Sequence, residues 1–140
     1  MTERPAVLFL CTHNAGRSQM ALGFFTHLAG DRAVVWSGGS EPADAINPSA
    51  IAAMAEVGID ITGQHPKLWT EEVVRAADVV VSMGCGDACP VFPGKRYEEW
   101  VLDDPHGADL DAVRSIRDAV ERRVLGLIDQ LELSSPDTHH

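Results

Sequence analysis

The apolar run Val7-Leu8-Phe9-Leu10 ends in Cys11, and the next seven residues read Thr12-His-Asn-Ala-Gly-Arg17-Ser18. An unbroken run of this kind marks a strand buried on both faces of a parallel sheet. After Arg17, residues Met20, Phe24 and Leu28, with Leu22 and Phe25, recur at helical spacing as far as Gly30. The chain is committed to strand, tight loop and helix, with a thiol where the strand ends and a guanidinium where the helix begins. Backbone N–H groups of Thr12, His13, Asn14, Ala15, Gly16 and Arg17 can curl around a tetrahedral oxyanion, and the positive end of the helix points to the same place. The same field stabilises a thiolate. The loop predicts nucleophilic attack by sulfur on a phosphate-like centre; the plainer alternative is a buried structural cysteine beside a helix cap.

Each side chain of the loop has a chemical reading. Arg17 is the anion clamp, because its planar fork holds two oxygens where a lysine offers one point charge. A cation at a helix start opposes the helix dipole, an objection that a bound anion removes. Ser18 can donate its hydroxyl to the Cys11 sulfur, or serve as an ordinary helix-cap hydroxyl. Asn14 ties the loop together through its amide, and Gly16 permits backbone angles that other residues resist. His13 could point outward as a mere surface residue and is assigned no proton-transfer role.

Alternation of strands and helices continues along the 140 residues. Ala33–Ser37 reads as a second strand closed by Gly38-Gly39. Asn47-Pro48 reads as a helix cap and first turn, followed by an apolar stripe at Ile51, Met54, Ala55 and Val57. Thr70 starts a short helix through Ala77, Asp78–Met83 is a third strand, and Lys95–Trp100 a fourth, of mixed polarity, at an edge. Leu110, Val113, Ile116, Val120, Val124, Leu127, Ile128 and Leu131 mark a last long helix. Its opposite face carries Arg114, Arg117, Asp118, Glu121 and Arg122, a solvated surface with i,i+4 support. The pattern predicts a small three-layer α/β domain with a four-stranded parallel sheet flanked by helices, spanning residues 1–133, with a flexible tail at 134–140. Ligands in such sheets collect beyond the carboxyl ends of the strands, where Cys11 lies.

The formal charge of -10 argues against nucleic acid or an anionic membrane as partner, and makes the positive character of the Cys11 loop local. Met1-Thr-Glu-Arg-Pro5 is too short and polar for a signal peptide, and no stretch approaches a membrane span. Three cysteines are an odd number and few for a disulfide-built secreted domain, so a reducing cytoplasm is expected; a monomer is the expected state.

Two further segments carry chemistry. Asp103-Asp104-Pro105 precedes the last helix; Asp104 could protonate a departing oxygen, or the pair could belong to a plain turn. Cys85 and Cys89 flank Gly-Asp-Ala after the third strand. They can be read as partners of Cys11 in a thiol relay, as incidental cysteines, or as part of a thiolate metal site, for which no finger-like histidine spacing is present.

These residues together resemble the arsenate reductases built on the low-molecular-weight protein tyrosine phosphatase fold. The likeness runs from Val7 to about Leu131. Its motifs are Cys11–Ala21, Val79–Met83 with Cys85 and Cys89-Pro90, Trp100, and Asp103-Asp104-Pro105. The first motif identifies the superfamily; the cysteine pair and Gln19-Met20-Ala21 point toward arsenate reduction. The resemblance implies Cys11 as nucleophile, Arg17 and the loop amides as oxyanion site, and Asp104 as general acid. It further implies Cys85 as first resolving thiol and Cys89 as the thiol completing a disulfide. No bound cofactor and no metal are implied. The external reductant is thioredoxin, or mycothiol with mycoredoxin as in some actinobacterial relatives. Three features depart from the pattern. The Cys85–Cys89 spacing is short, Leu22 occupies the position of an acidic residue in potassium-binding members, and the loop from Gly84 to Trp100 also resembles the mycothiol-dependent branch. A tyrosine phosphatase using the same Cys11, Arg17 and Asp104 would carry a rim aromatic after Pro105, where this chain has His106. A non-catalytic redox or oxyanion-binding domain is the remaining class.

Overall fold

The computed structural model describes residues 4–83, 96–103, 105 and 107–131. Its sheet has four parallel strands in the order β2-β1-β3-β4: β1 (Ala6–Cys11), β2 (Val34–Gly39), β3 (Val79–Ser82) and β4 (Arg96–Glu99). The apolar run sits in the interior strand, paired on both sides, and all six of its residues are buried. β4 lies at an edge, which explains how it tolerates Arg96, Glu98 and Glu99. Because β2 lies on one side of β1 and β3 on the other, the sheet has a switch point at the carboxyl ends of β1 and β3. Cys11 is the last residue of β1 at that point, and Ser82 at the end of β3 pairs with Leu10.

Side chains alternate across β1. Val7, Phe9 and Cys11 face a large core built with α1 (Arg17–Ala29), α2 (Pro48–Glu56) and α4 (Leu110–Gln130); Leu8 and Leu10 face a smaller cluster with Val80, Val74 and Ala77. Val74 belongs to α3 (Glu71–Ala76), so helices cover both faces and the domain has three layers. Phe9 anchors the larger core, meeting the Phe25 ring edge-on at 5.8 Å and the Trp100 ring at 5.6 Å. Removing such a ring costs about 3–5 kcal/mol. Local signals start the helices as the sequence predicts. The Asn47 side chain accepts from Ser49 N–H with Pro48 following, and Thr70 accepts from Val73 N–H.

Some expectations shift. Gly38 and Gly39 do not close β2 but belong to it, pairing with Leu10 and Cys11. A Cβ on Gly39 would lie 2.7 Å from the Thr12 carbonyl oxygen, so only glycine lets β2 run this close to the loop. The buried face of α2 is Ala50, Ala53 and Met54, whereas Ala55 and Val57 are exposed. The charged face of α4 is bound across the fold more than along the helix. Arg114 and Arg117 both reach Glu56 at the end of α2, at 2.6 and 2.8 Å, and Arg117 also donates to the Ala53 carbonyl. Cys85, Cys89, Asp104, His106, Lys95 and the tail 134–140 lie outside the described residues.

The Arg114 hydrogen bond, followed by the Arg117 hydrogen bond and the charge of both, holds the Glu56 carboxyl down at about 2, from an ordinary 4.5. A carboxylate depressed in this way stabilises the fold above its unfolded value, and the contribution disappears as pH falls from about 4.5 through 2. The cluster is solvent-exposed, so the effect is modest and screened by salt. Glu56→Gln is expected to lower the thermal midpoint at pH 7 by a few degrees, with the difference from the native chain closing by about pH 2; thermal unfolding across that range measures it. An equal deficit at both ends would mean that the ionised carboxylate is not what joins α2 to α4.

Candidate active site

The loop from Cys11 to Arg17 is held from outside by its carbonyl groups. The oxygens of Thr12, His13 and Ala15 accept from the N–H groups of Glu41, Ala43 and Asn47 at 2.8, 3.0 and 2.9 Å. A trans peptide sets its N–H opposite its C=O, so these bonds turn the N–H groups of His13, Asn14 and Gly16 away from the 41–47 segment. That is the sense needed for amides that ring an anion. Asn14 sits at φ 50, the left-handed region that asparagine tolerates better than most side chains, and gives the loop its sharp curl.

Asn14 is fully buried and organises the site through its amide. Its Oδ1 accepts from the backbone N–H of Lys67 at 3.0 Å. A backbone N–H can only donate, so the orientation of the amide is fixed, and Nδ2 necessarily faces Ser18, donating to its Oγ at 2.7 Å. Ser18 Oγ also lies 2.8 Å from the Cys11 sulfur, a hydrogen bond in which the hydroxyl is the donor whenever the sulfur is ionised. Helix α1 has Gly16 at its cap position with no side-chain cap bond, so the hydroxyl is turned to the sulfur instead of capping the helix.

Arg17 is only 6% exposed at the first position of α1, and one of its terminal nitrogens donates to the Leu102 carbonyl at 3.4 Å. It lines a cavity of about 410 Å³ together with Cys11, His13, Ala15 and Gly16. The opposite wall is Ala43–Pro48, with Pro105 and Gly107. Pro105 lies against Gly16 so tightly that a Cβ there would come within 2.5 Å of its ring. Asn47 Nδ2 donates to the Pro105 carbonyl at 3.4 Å. No Phe, Tyr or Trp is among the described residues of the wall. A thiol and a guanidinium thus line the same cavity, whose volume is ample for a tetrahedral oxyanion. Burial pushes the ammonium of Lys67 below its ordinary value.

Cys11, Asn14, Gly16, Arg17 and Ser18 thus converge, and Thr12, His13 and Ala15 complete the loop. His13 is half-buried at the cavity, not a simple surface residue. Leu22, at the position of the acidic residue in potassium-binding members, is buried at 7% exposure and lines a smaller pocket with Thr26, His27, Asp60 and Gln64. Among the described residues no three His, Cys, Asp or Glu side chains converge as metal ligands, and no helix is long and apolar enough to cross a membrane. The sequence motif includes Gln19 without giving it a role in the site, and gives none to the backbone at 65–67 or to the 41–47 segment that bonds the loop carbonyls. Only Gln19 left a signal, as a neutral polar residue in a helical turn whose neighbours are all buried.

The model of the family described as low molecular weight phosphotyrosine protein phosphatase matches residues 6–136. Arsenate reductase 1 of Staphylococcus epidermidis is 40% identical over 126 residues, 87% of this chain and 94% of that one. The arsenate reductase of Bacillus subtilis is 44% identical over 107 residues, covering 74% and 76% of the two chains. Among solved structures, a thioredoxin-dependent arsenate reductase of Corynebacterium glutamicum superposes with a TM-score of 0.84 at 40% identity. It matches 96% of this chain, which spans 65% of that longer one. The chain belongs to the low molecular weight phosphotyrosine protein phosphatase family and, within it, groups with the arsenate reductases.

Proposed function

We propose that this protein reduces arsenate to arsenite, with Cys11 as nucleophile and thiols as the electron source. The observation that carries the reading is the Asn14–Ser18–Cys11 chain, which sets a hydroxyl against the sulfur in a cavity that Arg17 also lines. Arsenate enters the loop, where Arg17 and the turned amides hold its oxygens. The Cys11 sulfur forms a bond to arsenic while a hydroxyl group leaves as water, taking its proton from Asp104. Packing of Pro105, the next residue in the chain, against Gly16 supports that assignment. Cys85 then attacks the Cys11 sulfur, so that the sulfur–arsenic bond breaks with its electron pair passing to arsenic. Arsenite departs and a Cys11–Cys85 disulfide remains. Cys89 displaces Cys11 from Cys85, and the Cys85–Cys89 disulfide leaves with two electrons owed. Support for Cys85 comes from β3, whose last residue, Ser82, pairs beside Cys11 and precedes Cys85 by three positions.

Thioredoxin is the proposed donor, in keeping with the similarity to the thioredoxin-dependent enzyme of Corynebacterium glutamicum. Mycothiol with mycoredoxin is the competing donor and would make Cys85 and Cys89 dispensable. A tyrosine phosphatase reading is less favoured, since the described wall of the cavity offers no aromatic platform for a phenyl ring.

Arsenite production from arsenate, measured with thioredoxin and its reductase or with mycothiol and mycoredoxin, separates the donors; multiple turnover is expected with thioredoxin. Replacing Cys89 by Ser should stop turnover and trap a Cys11–Cys85 disulfide, visible by peptide mapping. Full activity of a chain lacking both Cys85 and Cys89, with mycothiol alone as effective donor, would overturn the internal relay. Hydrolysis of aryl phosphates without any arsenite would favour the phosphatase. Arg17→Ala should cost about 2.7–4 kcal/mol of transition-state stabilisation, roughly a hundred- to a thousand-fold in rate. Arg17→Lys should recover little of this, because it keeps charge without the fork. Steady-state kinetics of both variants check this, and a near-normal rate in either would mean the oxyanion is held elsewhere.

A further inference from the structure

Gln19 has no part in the chemistry above, yet it is fully buried and joins three parts of the site. Its Nε2 lies 3.1 Å from the Asn14 carbonyl oxygen, 3.2 Å from Asn14 Oδ1 and 3.3 Å from the His65 carbonyl oxygen. Three acceptors around one nitrogen fix the orientation of the amide, since a flipped group would set an oxygen against three oxygens. The other end, Oε1, meets no donor among the described residues. Burying an acceptor without a partner is unfavourable, so packing alone would be served as well by Met or Leu, as it is at Met20 and Leu22. A glutamine retained at this expense has its use in the amide donors.

Those donors act on Asn14 at two points. One supports the backbone carbonyl of a residue held in the left-handed region, and the other joins Lys67 N–H at Oδ1. A second hydrogen bond to Oδ1 polarises the amide and strengthens what Nδ2 gives to Ser18, as bonds in a chain reinforce one another. The His65 carbonyl shares one of the two amide hydrogens, which ties the 65–67 segment, the source of the Lys67 donor, to α1. We infer that Gln19 is a positioning residue that acts through Asn14 and Ser18 to hold the Cys11 sulfur in its reactive, ionised form.

The inference rests on Cys11 being the reactive thiol of the proposed reaction, but its test reads sulfur ionisation directly and needs no arsenate. The reduced full-length chain is alkylated with iodoacetamide over a series of pH values, and Cys11 modification is followed by peptide mass mapping. In Gln19→Met the rate at pH 7 should fall about three- to tenfold, the scale of one hydrogen bond, and return to the native rate at alkaline pH, where ionisation no longer depends on the loop. Circular dichroism should be unchanged. Ser18→Ala should produce a fall of its own, and adding Gln19→Met to it should produce none further, because the two substitutions break one chain. Should Gln19→Met fail to fold, Gln19→Glu carries the same test: it keeps the shape but brings acceptors where donors are needed, and the fall should be at least as large. A rate at pH 7 within about twofold of native in the folded variant, or losses that multiply in the double variant, would overturn the inference.

Discussion

The backbone N–H of Lys67 decides the polarity of the site. Because it can only donate, Asn14 Oδ1 must face it and Nδ2 must face Ser18, whose hydrogen then stays available to the Cys11 sulfur when that sulfur is ionised. Reverse any member and the hydroxyl would present its oxygen lone pairs to an anion that repels them. The buried, low-dielectric setting makes each of these bonds worth more than at the surface, and makes an error in any of them costlier. A main-chain donor is a strong choice for the first link, since no side-chain replacement short of proline removes it.

What holds Lys67 is the fold. Gly39 N–H donates to the Lys67 carbonyl and Trp69 N–H donates to Gly39, which fastens the 67–69 segment to the end of β2. β2 is in turn paired residue by residue with β1, whose last residue is Cys11. Thiol and donor are therefore positioned by neighbouring strands of the same sheet, with the loop between them bonded outward to residues 41–47. The large core beneath, centred on Phe9, Phe25 and Trp100, keeps β1 and α1 at a constant relation, so the strand end and the helix start meet the anion together. In a chain with a formal charge of -10, attraction for arsenate has to come from this local geometry, since the net charge repels it.

Much of this was legible in the sequence because it rests on short-range physics. A run of four apolar residues ending in Cys11 identified the interior strand. The periodicity after Arg17 identified α1, and Asn47-Pro48 and Thr70 announced helix starts that their side chains do cap. The thiol, the fork of Arg17 and the Ser18 hydroxyl were readable since the chemistry demands those groups within one loop. Other features depend on contacts between distant parts of the chain and leave no local trace. Asn14 can be seen to tie a loop, but its donor 53 positions away cannot. Nor can the exchange of helix-surface pairing for contacts with Glu56, 58 and 61 positions from Arg114 and Arg117. Gly38-Gly39 read as a stop because glycine usually ends strands; here it extends one, as the loop leaves no space for a Cβ.

The proposed reaction has the Cys11 sulfur pass two electrons to arsenic from the chain's own thiols. Mixing fully reduced protein with a small excess of arsenate, in the absence of any external reductant, and counting both arsenite and remaining thiols tests it most directly. One arsenite released per chain, with two thiols lost and Cys11 returned to its free form, is the predicted result. No arsenite until a small-molecule thiol is added, with all three thiols still free, would contradict it.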